Sequence, residues 1–100
     1  MADMAGQDTQ VATRIANLLS TLGGEMADSE RAEVDRFLSA GEYALALDTL
    51  SWILVEEQKP IADGALREID SLAEVMELRE EGFVHALHDA HERQIARPGA

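Results

Sequence analysis

The residues best suited to metal or acid–base chemistry are three histidines, His85, His88 and His91, spaced three apart near the end of the chain. On a helix, each step of three turns the side chain by about 300°, so the set drifts across about 120° of the surface. His88 and Glu92, four apart, can share one cation, with His91 as a further donor. The competing reading leaves His91 flanking the core and His85 and His88 in solvent. No second cluster elsewhere completes a coordination shell, so no metal is expected.

Nucleophilic catalysis needs a nucleophile, a base and an oxyanion site. Hydroxyls such as Thr13, Ser29, Ser51 and Ser71 sit in no recognisable elbow and read as caps or helix-surface residues. Gly23-Gly24 has no nearby lysine and reads as a turn, not a phosphate cradle. Carboxylate pairs are abundant, but in a chain this acidic they arise by chance. The pattern predicts no catalytic residue and no cofactor.

Charge is the strongest global signal. Twenty Asp and Glu against eight Lys and Arg leave a formal net charge of −12 over 100 residues. Such a field repels nucleic-acid phosphates and anionic lipid and attracts basic partners, or else it only keeps a small protein in solution. The absence of cysteine removes disulfides and thiolate sites. The first eight residues carry two acids and no basic or apolar run, unlike a signal peptide. The apolar stretch from Thr49 to Val55 is too short to span a bilayer. Cytoplasmic residence is the expectation.

Positioning falls to helices. Asp8 or Thr9 can cap a first helix running to about Leu22, with Val11, Ile15, Leu18, Leu19 and Leu22 on one stripe and Gly23-Gly24 ending it. A second starts near Asp28-Ser29, with Ser29 as cap, carries Val34, Phe37 and Leu38, and stops at Gly41 in a left-handed conformation. A third, about 42–57, presents Tyr43, Ala46, Leu47, Leu50, Ile53 and Leu54 and is broken by Lys59-Pro60. Asp63 can cap a fourth, carrying Leu66, Ile69, Leu72, Ala73 and Met76. A fifth, from Glu80 or Gly82 to Ile95, shows Phe83, Val84, Leu87 and His91. No segment alternates with period two. The expected fold is all-α: a compact antiparallel bundle of four to five short helices. Its domain covers 8–96, with a flexible tail at 1–7 and a frayed C-terminus at 97–100.

The third helix is apolar on two sides. Opposite its core stripe it carries Leu45, Trp52 and Val55, with Asp48 and Glu56 one turn either side of the chain's only tryptophan. Such a helix is either buried centrally or gives its second face to a partner. Trp52 ringed by carboxylates is a suitable interface anchor; alternatively, it fills the bundle against the first or fifth helix. Asp70, Glu74 and Glu77 line the outer side of the fourth helix. Glu30, Glu33 and Glu42 read as a solvated face.

The string from Glu33 to Leu50, with its Gly41-Glu42-Tyr43 turn, the Ala44-Leu45 step and Asp48-Thr49-Leu50, resembles the centre of MafI-family immunity proteins. Leu54-Val55-Glu56-Glu57, Pro60-Ile61 and the leucine-rich first helix extend the likeness over about residues 11–80. The fifth helix departs from it. The resemblance implies a small helical cytoplasmic protein that binds and neutralises a cognate secreted toxin, often a nuclease with a basic cleft. The expected contact surface is Leu45, Asp48, Trp52 and Glu56, with Asp70 and Glu74 as electrostatic support. The partner is then a toxin protein, not nucleic acid or membrane, and the chain a monomer or homodimer. The alternative is an acidic helical adaptor or self-associating protein that uses the same second apolar face as a homodimer seam.

Overall fold

The computed structural model describes residues 2–96, with side chains from residue 9 onward. Among these there is no strand; five helices follow one another: α1 (Ala2–Thr21), α2 (Asp28–Ser39), α3 (Tyr43–Glu56), α4 (Asp63–Val75) and α5 (Gly82–Ile95). A 3₁₀ turn, Gly23–Glu25, joins α1 to α2. The fold is all-α, as the helical spacing of apolar residues requires.

The start of α1 differs from expectation. The helix begins at Ala2, so the segment read as a flexible tail is helical from its second residue. Ala2, Met4, Ala5 and Gln7 are strong helix formers, and the single Gly6 does not outweigh them. The expected frayed end at 97–100 lies outside the described residues.

Packing explains the two-sided third helix. α3 contacts α1, α2 and α5, and buries Ala46, Leu47, Leu50, Ser51 and Leu54 among them. Val11, Ile15, Leu18 and Leu19 of α1, Ile69 and Leu72 of α4, and Phe83 and Leu87 of α5 complete the core. Each large aliphatic side chain so buried contributes roughly 1.5–3 kcal/mol. Ser51 departs from its sequence reading as a surface hydroxyl. It is fully buried, and its Oγ has no hydrogen-bond partner.

Three helices end in the same way. After α2, Glu42 N–H donates to the Phe37 carbonyl and Gly41 N–H to Leu38, with Gly41 at φ +76°. This is the Schellman arrangement, which favours glycine at the left-handed position. The ends of α3 and α4 repeat it with Lys59 N–H to Leu54 and Leu78 N–H to Ala73. There the left-handed residues are Gln58 (φ 53°) and Glu77 (φ 60°), which carry a Cβ into a region that disfavours one. Lys59-Pro60 therefore follows the end of α3 instead of making it.

All three expected caps are displaced: Asp8 and Thr9 fall inside α1, and the other two give way to alanines. Ala27, not Ser29, is the N-cap of α2, and the Glu30 carboxylate reaches back to accept the Ala27 N–H at 2.9 Å. Ala62 occupies the N-cap of α4, and Asp63 is its first helical residue. Asp63 turns to α5 instead: its Oδ1 lies 2.7 Å from His91 Nε2.

Candidate functional site

Residues 48, 52 and 56 follow at four-residue steps, so α3 sets Asp48, Trp52 and Glu56 in one row on its outer side. The Gly41 turn folds α2 back beside that row and brings Glu33 to it. Together with Thr49 and Ile53, these residues line an open groove of 420 Å³. No lining residue is basic.

Trp52 joins groove to core. It is half-buried and packs against the hydrophobic cluster, with its Cζ2 3.9 Å from where a Cβ on Gly82 would stand. One side of the indole fills the bundle at the start of α5, as one reading of the sequence expected, and the other lines the groove. A half-exposed indole among Asp48, Glu56 and Glu33 suits a lysine or arginine side chain, held by the π face and by charge-assisted hydrogen bonds.

The remaining expected contact residues lie elsewhere. Leu45 is 43% exposed but does not line the groove. No α4 residue reaches it either, so Asp70 and Glu74 stand apart from Trp52. Glu74 is exposed, whereas Asp70 is engaged within the fold, its carboxylate oxygens 2.8 and 2.9 Å from His88 Nε2. Glu33, read from sequence as solvated, is the added member. Its signal was its place one hairpin turn before Trp52, which only the register of α2 on α3 reveals.

The histidines belong to a seam. His88 bonds Asp70, His91 bonds Asp63, and both link α5 to α4, while His85 stays exposed. The Nε2 of His88 is thus turned to α4, to the Asp70 carboxylate. Among the described residues, no group of three or more His, Cys, Asp or Glu is placed to hold a metal ion.

Two further ties fix the frame. Arg14 of α1 donates from Nε and Nη2 to both oxygens of Glu68 at 2.8 and 2.9 Å, and Nη2 also bonds Ser71 Oγ. This grip holds the Glu68 carboxyl below its ordinary range and raises Arg14. Lys59 reaches Glu30 at 3.1 Å. The Ala27 amide first, and Lys59 second, lower the Glu30 carboxyl. Glu30 is thus tied into the fold, unlike the solvated residue its sequence context suggests. No described helix is long and apolar enough to cross a membrane.

No family model matches the chain, and no curated protein or solved structure matches it.

Proposed function

We propose that this protein binds and neutralises a basic partner protein, as an immunity protein binds its cognate toxin, without chemistry of its own. The observation that carries this reading is the groove that the half-buried Trp52 lines with Asp48, Glu56 and Glu33, and that no basic residue lines. Buried aromatic anchors supply most of the affinity at protein interfaces, and surrounding charge supplies speed and selectivity. A net charge of −12 matches a partner whose own ligand is a polyanion, so a nuclease cleft is the fitting target. The resemblance of Glu33 to Ile61 to MafI-family immunity proteins supports the same function, and with it residence in the cytoplasm. Asp70 and Glu74 act at a distance, through the field alone.

The test is titration with the purified toxin domain encoded beside this chain. Binding is expected to weaken by about 2 kcal/mol in Trp52→Ala, and association to slow steeply with salt. Glu56→Lys, at an exposed position, leaves the fold intact and reverses a charge in the groove. Wild-type affinity in both variants, each still folded at the temperature of the titration, would remove the groove as the contact surface.

A further inference from the structure

A larger cleft lies on another side of the molecule, between α1, the start of α4 and the end of α5. Its volume is 670 Å³, within the range of preformed ligand sites. Leu18, Leu22, Ile61 and Ala65 form an apolar floor. Polar ties keep the walls in place. Arg14 grips Glu68 and Ser71, while Gln94 accepts from the Ile61 N–H and donates to the Lys59 carbonyl. Thr21, on the rim, turns its hydroxyl back to the Asn17 carbonyl of its own helix. At Gly64 a Cβ would meet nothing within 4 Å, so the space beside α4 is open.

Charge selects the occupant. Arg14 is neutralised by Glu68, which leaves Glu25 as the unbalanced charge on the rim. A second copy of this chain would bring another −12, and an anionic amphiphile would meet the same repulsion. We propose that this cleft is a docking site for the apolar face of a basic amphipathic helix carried by a partner protein. The α1 wall from Arg14 to Leu22 runs on the order of 12 Å, enough for two turns of a helix to set apolar anchors at i, i+3 or i+4 and i+7. The cleft and the Trp52 groove share no lining residue, so either can fail alone.

The experiment is a methyl-detected NMR titration of the full chain with a synthetic leucine–lysine amphipathic helix, alongside its leucine–glutamate counterpart and toluene. Saturable shifts are expected at Leu18, Leu22 and Ile61 with the lysine peptide, and none with the glutamate peptide. Gly64→Met fills open space and is expected to keep the thermal midpoint while weakening the peptide by about tenfold. Glu25→Lys, at an exposed position, weakens it by about threefold. Unaltered binding in Gly64→Met, equal binding of the glutamate peptide, or shifts centred on Trp52 would each overturn the assignment. So would toluene entering the cleft while the lysine peptide stays out.

Discussion

Trp52 and Gly82 meet where α3 passes the first residue of α5, with the indole Cζ2 3.9 Å from a Cβ position that glycine leaves vacant. That separation is ordinary van der Waals contact, so an added methyl packs against the ring without displacing it. Gly82→Ala is expected to stabilise the fold by about 0.5–1 kcal/mol, from helix propensity and added contact together. A urea midpoint and the Trp52 emission maximum check it: the midpoint rises and the emission moves to the blue. A red shift would mean that the indole had been pushed outward.

Arg14 and Glu68 make stability depend on pH from the acid side. Glu68 has a folded-state value below its ordinary 4.5, so its contribution is complete above that value and is lost as pH falls through the folded one. Arg14 is raised further above its already high ordinary value, so its own change lies far above neutral pH. Because the pair is about one-third exposed, its worth after solvent screening is roughly 1 kcal/mol. Glu68→Gln should therefore cost about that much at neutral pH and nearly nothing in strong acid. Urea titrations of both proteins at the two conditions measure the difference.

Gln94 serves two backbone groups of the α3–α4 connection, the Ile61 N–H and the Lys59 carbonyl, at 2.9 and 2.8 Å. Gln94→Ala leaves the part-buried Ile61 N–H without its acceptor and gives the exposed Lys59 carbonyl to water, at a cost of about 0.5–1.5 kcal/mol. The loss is local, so amide exchange at Ile61 is expected to quicken more than exchange at Leu50. Equal acceleration at both sites would show the tie to be global.

Gln58 and Glu77 hold left-handed conformations that glycine adopts at no steric cost. Gln58→Gly and Glu77→Gly are each expected to stabilise by about 0.5–1 kcal/mol, the relief being partly offset by the freer unfolded chain. Gly41→Ala should do the reverse by about 1 kcal/mol. Thermal melts of the three variants give the signs directly.

Legibility followed the physics of each contact. The α1 stripe from Val11 to Leu22 and the double apolar character of α3 are periodic, and periodicity is what a sequence displays. Gly41 announced its turn because glycine is the residue that turn favours. Gln58 and Glu77 adopt the same conformation with residues that carry no such signal. Gln94 and the Lys59–Glu30 pair act across long separations, so no spacing rule exposes them; the local reach of Glu30 to the Ala27 N–H went unread because alanine is not a residue that marks an N-cap. Trp52 and its two flanking acids were visible on one helix; Glu33 needed a second helix in register. Asp70 was read as free charge because its partner, His88, lies on another helix.

The central place of α3 sets a limit on how this protein can diversify. Leu47, Leu50 and Leu54 are enclosed by α1, α2 and α5, so drift there costs the whole bundle. Positions 45, 48 and 56 face outward on the same helix and can change at little structural cost. On the proposed binding role, partner choice would then be rewritten in a few letters along one helix, with the intervening letters held still.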